Sequence, residues 1–194
     1  MKVMVIIMQK GIILVQSKYG AAQTYATWLK EATGYDCITL KQAKRENLNR
    51  YHTIVLCGGI YASGIAGISF FKKHISEYSG KRLAVFCVGA SPYDEKALEQ
   101  IKAFNLKDTL SGIPLFYGRG AWDVNRMTFG DRTLCKLLQK AVAKKDPNAE
   151  TFEPWMAALM EASDNVCDWK DKTYLEPLLA FLKDTPIVYK GENG

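Results

Sequence analysis

The sequence predicts an α/β protein built on a doubly wound, five-stranded parallel sheet with helices on both faces. Two observations carry this. Short apolar runs rich in β-branched residues alternate with stretches of helical period, and each run closes on glycine or a small polar loop. Parallel strands joined through helices cross over right-handed, which winds such a chain on both sides of one sheet.

The first strand is Ile12 to Val15, an apolar run suited to burial on both faces. Gln16 to Gly20 make a polar loop. A helix follows from about Ala22 to Ala32, with Ala22, Tyr25, Ala26 and Leu29 at helical spacing, and Gly34 stops it. Cys37 to Leu40 is the second strand, and Lys41 to Leu48 a basic connection of a helical turn or two. Thr53 to Cys57 is the third strand, ending at Gly58-Gly59. A helix near 67–78 buries Ile68, Phe71 and Ile75. Leu83 to Val88 is the fourth strand, ending at Gly89. The helix from Asp94 to Phe104 aligns Ala97, Leu98, Ile101 and Phe104. Ile113 to Tyr117 is the fifth strand, ending at Gly118.

Beyond Gly120 the pattern loosens. Leu134, Leu137, Leu138, Ala141 and Val142 mark an amphipathic helix with Arg132, Lys136, Lys140 and Lys144 on its polar face. It is expected to pack on the sheet rather than on a membrane, since helices in such a fold need an apolar face anyway. A further helix over 152–162 carries Trp155 and Leu159, and Tyr174 to Leu182 closes the fold. The expected organisation is one domain over 12–184, with 120–171 inserted after the fifth strand and a loosely held tail over 185–194. Residues 1–11 read as an N-terminal extension: an alternative start, a cloning remnant or a lengthening of the first strand.

Composition narrows the function. The 194 residues are 48% apolar and 24% charged, ordinary for one soluble domain. The net charge of +6 is uneven: residues 1–119 hold sixteen Lys and Arg against eight Asp and Glu, residues 120–194 ten against twelve. A basic front half suits a phosphate-bearing ligand, an acidic partner or an anionic membrane surface, and equally an ordinary solvated surface. Five scattered cysteines without a CxxC pair fit free thiols in a reducing cytoplasm and give no zinc spacing. No metal site and no nucleic-acid partner is expected. No stretch is long enough to span a membrane, and the apolar start is too short for a secretion signal.

Three loops end strands one, three and four. The first, Ser17, Lys18, Tyr19, Gly20, Ala21, Ala22, Gln23 and Thr24, joins a strand to a helix, the geometry that aims free N–H groups and a positive dipole end at phosphate; a plain capped turn is the alternative. The second, Gly58, Gly59, Ile60, Tyr61, Ala62, Ser63 and Gly64, has the glycine spacing of a Walker loop but continues Ile65-Ala66 instead of Lys-Ser/Thr, so no nucleoside triphosphate is expected. The third, Gly89, Ala90, Ser91, Pro92 and Tyr93, also reads as a helix start capped by Ser91. A cluster at Arg119 follows strand five. No GxGxxG opens the chain, strand three ends in Cys57-Gly58 where a response regulator needs its phosphoacceptor aspartate, and neither histidine has a nucleophile context.

The five units match the strand order 2-1-3-4-5 of flavodoxin-like folds, in which a ligand sits where the winding reverses. The first loop resembles the flavodoxin family's phosphate loop (Ser/Thr, any, Tyr/Thr, Gly, any, Thr), which holds the phosphate of flavin mononucleotide (FMN). It departs at Ala22, where the family has threonine; Thr24 or the backbone alone stands in for it. The resemblance implies that the second loop lies against the flavin ring, with Tyr61 stacking on it or instead capping the sheet edge. It implies that Gly89, Ala90, Ser91 and Tyr93 meet the pyrimidine edge. Arg119 then faces a reduced anionic flavin, an acidic substrate or solvent.

The long segment after strand five and the stretch Asp168-Trp169-Lys170-Asp171 resemble a flavodoxin-domain subgroup that includes the menaquinone-dependent protoporphyrinogen dehydrogenases. The implied function is an FMN oxidoreductase passing electrons between a reduced substrate and a quinone-type acceptor. An electron carrier docking on redox proteins is the alternative, and a member that has lost flavin is a third. Carriers of this fold are typically acidic, whereas this chain is basic. The expected location is cytoplasmic, with peripheral membrane contact open to the basic half.

Overall fold

The computed structural model describes residues 10–163 and 165–183. The expected extension and tail lie for the most part outside these residues. Five strands, β1 (Gly11–Gln16), β2 (Asp36–Thr39), β3 (Thr53–Tyr61), β5 (Arg82–Gly89) and β6 (Leu115–Arg119), form a parallel sheet in the order β2-β1-β3-β5-β6. This is the expected 2-1-3-4-5 topology. A two-residue strand, β4 (Gly64–Ile65), turns back antiparallel on the end of β3 and shifts the numbering by one.

The apolar runs are buried because both faces of the sheet are covered. Successive strand side chains point to opposite faces, so Ile12, Leu14, Ile54, Leu56 and Val85 pack with Phe71 and Tyr78 on one side. Ile13, Val15, Val55, Cys57 and Phe86 pack with Tyr25, Leu29, Leu178 and Leu182 on the other. The second layer is α1 (Ala21–Thr33) and α7 (Glu176–Lys183); the first includes α2 (Leu40–Ala43), α3 (Ile68–His74) and, partly buried, α4 (Glu95–Asn105). Helix α1 ends as its sequence predicts, with Gly34 at φ 71° and its N–H on Lys30 O. The Thr39 and Gln42 side chains form a capping box that starts α2 directly at the end of β2.

Several boundaries move, each for a physical reason. Strand β3 does not stop at Gly58-Gly59; both pair within the sheet, with Cys87 and Val88, and the strand runs on to Tyr61. Glycine is required at 58 because a Cβ there would stand 2.3 Å from the Ala66 carbonyl oxygen. The fifth strand begins at Leu115 rather than Ile113, since Pro114 has no N–H for the ladder. The helix expected over 67–78 is α3 followed by a 3-10 segment, Ile75–Tyr78. The α4 cap is Asp94, which accepts the Ala97 N–H at 2.7 Å, not Ser91. Phe104 is exposed: the end of α4 is instead spent on Asn105, whose side chain donates to Ser63 O and accepts from Ile65 N–H, both at 2.8 Å.

After β6 the chain leaves the sheet at Gly120 and returns at Trp169, whose N–H donates to Gly120 O at 3.0 Å. Two antiparallel strands, β7 (Ala121–Asp123) and β8 (Val166–Asp168), make the stem of this excursion. Its helices are α5 (Phe129–Val142) and α6 (Pro154–Ala162). They share a small core of Val142, Met156 and Leu159 with Trp122, Phe152 and Trp155 packed against it. The expectation that α5 lays its apolar face on the sheet fails: Val142 is its one buried residue, and Leu134, Leu137 and Leu138 are exposed. The helix is held by its other side, where Arg132 donates to the carbonyls of Val124, Asn125 and Met127. Among the described residues no helix is long and apolar enough to cross a membrane.

Candidate functional site

The carboxyl ends of β1, β3, β5 and β6 meet under the excursion, and the sequence-predicted loops meet there with them. The first loop turns through Gly20, at φ 96°, a left-handed conformation that glycine adopts without a Cβ penalty. The Ser17 hydroxyl accepts the Gly20 N–H at 3.0 Å, and the first intrahelical bond runs from Thr24 N–H to Gly20 O. The N–H groups of Ala21, Ala22 and Gln23 precede it and lack intrahelical acceptors, an anion-binding arrangement at the positive end of a 13-residue helix. Ala22 is 1% exposed and belongs to the α1–sheet core, so a hydroxyl at 22 would point into apolar packing. The Thr24 hydroxyl is engaged on Gly20 O at 3.2 Å. The backbone is what this loop offers.

The second loop is narrower than expected. Gly58 and Gly59 are sheet residues, and the turn itself is Ala62-Ser63, with φ of 46° and 65°. Two non-glycine residues in left-handed conformation store strain, and the Asn105 side chain holds the turn in place. Tyr61 ends β3 with its side chain partly exposed. Its hydroxyl accepts the Lys18 N–H at 2.9 Å and its ring stands edge-on to Tyr19, tying the second loop to the first. Burial raises its pKa above that of an ordinary phenol.

Ile60, Ala62 and Ser63 from the second loop, with Gly89, Ala90, Ser91 and Pro92 from the third, line a cavity of about 410 Å³. Leu98 and Ile101 of α4 form its floor and Leu138 and Trp155 of the excursion its far wall. This explains why α4 has no fully buried residue: its inner face looks into the cavity. Tyr117 also lines it, donating its hydroxyl to Ser91 O at 2.5 Å, and burial raises its pKa so far that it stays a donor. Tyr93 stands away from the cavity, mostly exposed.

Arg119, at the end of β6, donates from Nε to Ala90 O at 3.1 Å and lies 4.1 Å over the Trp169 ring. Its Nη2 is buried with no hydrogen-bond partner among the described residues. A guanidinium N–H left so is costly, about 1–3 kcal/mol, unless an acceptor meets it. Trp169 gives the Asp168-Trp169-Lys170-Asp171 stretch a structural role. It supports Arg119, and the neighbouring Asp171 N–H donates to Tyr25 Oη, whose proton goes to Arg119 O at 2.6 Å.

Sequence reasoning missed Asp131. Its carboxylate accepts from both Lys18 Nζ and Tyr19 Oη, while Thr128 N–H donates to Tyr19 Oη, so the start of α5 is latched on the first loop. Lys18 and Tyr19 hold the Asp131 carboxyl below the usual carboxylate range, and Asp131 in turn raises the Lys18 ammonium. No local signal marks this contact, since 113 residues separate the partners.

The two cysteines buried in the sheet are not activated thiols. Desolvation raises the Cys57 and Cys87 thiols, the latter to about 12, so both stay protonated. In the cavity wall, Asp94 serves as the α4 cap and Glu153 accepts from Trp155 Nε1. Among the described residues no cluster of His, Cys, Asp and Glu is placed to hold a metal ion. A phosphate-type cradle at the end of β1, a cavity at the ends of β3 and β5 and a guanidinium held on Ala90 O behind the cavity wall fit a phosphorylated ring cofactor.

No curated protein is similar enough in sequence to match. Similar solved structures include the Trp repressor binding protein from Bacillus subtilis, 19% identical over 57% of this chain and 85% of that one, with a TM-score of 0.41. A mutant Fusobacterium nucleatum flavodoxin bound to flavin mononucleotide is 13% identical over 60% and 72%, with a TM-score of 0.34. RosB, solved with a bound formylriboflavin phosphate intermediate, is 10% identical over 95% and 91%, with a TM-score of 0.36. The family model described as the flavodoxin domain matches residues 12–149, from β1 into the excursion. The chain belongs to the flavodoxin-domain family.

Proposed function

We propose that this protein is an FMN-dependent oxidoreductase that moves electrons between a reduced substrate and a quinone-type acceptor. The observation that carries the reading is the cavity. A carrier needs only an exposed flavin edge, whereas here Leu138 and Trp155 of the excursion stand over the space of about 410 Å³ that would receive the ring, giving a second molecule an apolar wall beside it. When bound, FMN supplies the redox chemistry.

The chain's own residues bind and orient. The N–H groups of Ala21, Ala22 and Gln23, with Ser17 bracing Gly20, would hold the phosphate. Ile60, Gly89, Ala90 and Ser91 would border the ring, and the charge of Arg119, which donates to Ala90 O behind them, would favour an anionic reduced form. Leu98, Ile101, Leu138 and Trp155 would exclude water and give a flat apolar acceptor its surface. A porphyrinogen is one reduced substrate to try, suggested by the long excursion and by the Trp169 stretch that supports Arg119.

The test begins with the visible spectrum of the purified protein after FMN addition. Bound flavin shows quenched fluorescence and a raised Tm; their absence would remove the reading. With FMN bound, anaerobic reduction followed by a soluble quinone separates the classes. Substrate-dependent turnover is the expected result, and a single stoichiometric transfer without turnover would make the protein a carrier.

A further inference from the structure

The α5 helix turns an apolar stripe away from the fold. Leu134 and Leu137 are 51% and 59% exposed, Leu138 is 40% exposed, and Phe129 stands out at the N-terminal end at 86%. Along the edge of the stripe run Lys136 and Lys140, continued by Lys144 just past the helix. All three are exposed and have no ion-pair partner among the described residues. The Arg132 bonds fix the far side of α5, and the Asp131 latch and Val142 pin the flank beside Leu138, so the stripe is presented on a rigid support.

We propose that this face of α5 docks on the surface of an anionic lipid bilayer, with the leucines in the headgroup boundary and the lysines on acidic headgroups. An apolar face edged by lysine is the composition of a helix lying in the interface plane. Each lysine near such a surface is attracted by its negative potential. Charge separates this occupant from a second copy of the chain, because two such faces laid together would bring their lysine rows towards each other without acidic partners. Leu138 belongs both to the stripe and to the cavity wall. Docking therefore brings the cavity's edge to the lipid, the phase that holds quinone-type acceptors. That last consequence rests on the function proposed above, while the docking itself does not.

Flotation of the full chain with vesicles tests it. Binding is expected to phosphatidylglycerol–phosphatidylcholine vesicles, weakened by salt, and little to pure phosphatidylcholine. The double variants Leu134→Gln/Leu137→Gln and Lys136→Glu/Lys140→Glu should each lose about tenfold or more in partitioning while keeping the wild-type Tm and FMN affinity. Failure of the wild type to float with anionic vesicles would overturn docking, as would variants that float like it. A wild-type dimer in sedimentation that the leucine variants abolish, without vesicle binding, would assign the face to self-association. Flotation that persists without quinone turnover leaves docking standing and removes only the acceptor reading.

Discussion

The two ends of the cofactor site are built on opposite principles. At the phosphate end, the side-chain polar groups are paired and the loop is braced, leaving the backbone N–H groups of Ala21, Ala22 and Gln23 to the anion. Ser17 bonds Gly20, Tyr61 accepts from Lys18, and Asp131 gathers Lys18 and Tyr19. At the ring end, about 410 Å³ stands open, Arg119 keeps an unmet N–H, and the bordering turn holds Ala62 and Ser63 in left-handed conformation. The first end suits one invariant group, a phosphate. The second suits a ring plus whatever reacts with it, and strain there is held by Asn105 rather than relieved.

The largest effect should come from breaking the phosphate end. Gly20 sits at φ 96°, and a Cβ added there would have nothing within 4 Å, so Gly20→Val meets backbone strain with no clash at Cβ. Such strain is about 1–3 kcal/mol. FMN affinity, read by fluorescence titration, should fall at least about a hundredfold, while Tm drops by less than about 10 °C. Unchanged affinity would place the phosphate elsewhere. At the ring end, Arg119→Ala removes a charged donor worth about 1.5–3 kcal/mol. It should weaken FMN by roughly tenfold to a hundredfold, more for reduced than for oxidised flavin. Arg119→Lys keeps the charge but not the planar contact with Trp169, and should recover part of the loss. An equal loss for both redox forms would show that Arg119 does not sense flavin charge.

Asp131 sharpens the contrast, because a carboxylate beside a phosphate site holds Lys18 away from the anion. Asp131→Asn should tighten FMN by several-fold, with the gain shrinking as salt rises; weaker binding would mean that the latch shapes the loop. The linked pH effect has a definite sign. The Asp131 carboxyl is depressed in the folded protein. Its contribution to stability is therefore present above the unfolded value, about 3.9, and lost as pH falls through the lower folded value. The acid limb of a Tm-against-pH curve should be shallower in Asp131→Asn. The smallest effect belongs to Ser63→Gly, which relieves a φ of 65°. Strain released, less the entropy of glycine, leaves roughly 0.5–1 kcal/mol of added stability, seen as a Tm rise of a few degrees.

Much of this was legible in the residues. Continuous runs such as Ile12 to Val15, closed by polar residues and glycine, suit strands covered on both faces, and the two core clusters divide them residue by residue. Gly34 ended its helix, and the three loops fell at the carboxyl ends of β1, β3 and β5. Ala22 looked like a defect in a phosphate loop, yet its methyl faces the sheet and only its N–H lies at the helix start. Apolar spacing on α5 predicts a packing face, yet periodicity shows that a helix has two sides and not which side the protein covers.

By itself, then, the sequence determined the sheet, its winding and the rim where a ligand belongs, since strand and helix periods and glycine turns are local properties of the chain. Tertiary structure alone decided that Asp131 reaches Lys18, that Trp169 lies under Arg119, and that α5 shows its leucines to the outside. Each of those depends on how the excursion between Gly120 and Trp169 folds back over the rim. Its polar contacts join residues far apart in the chain, and no local pattern encodes such a meeting.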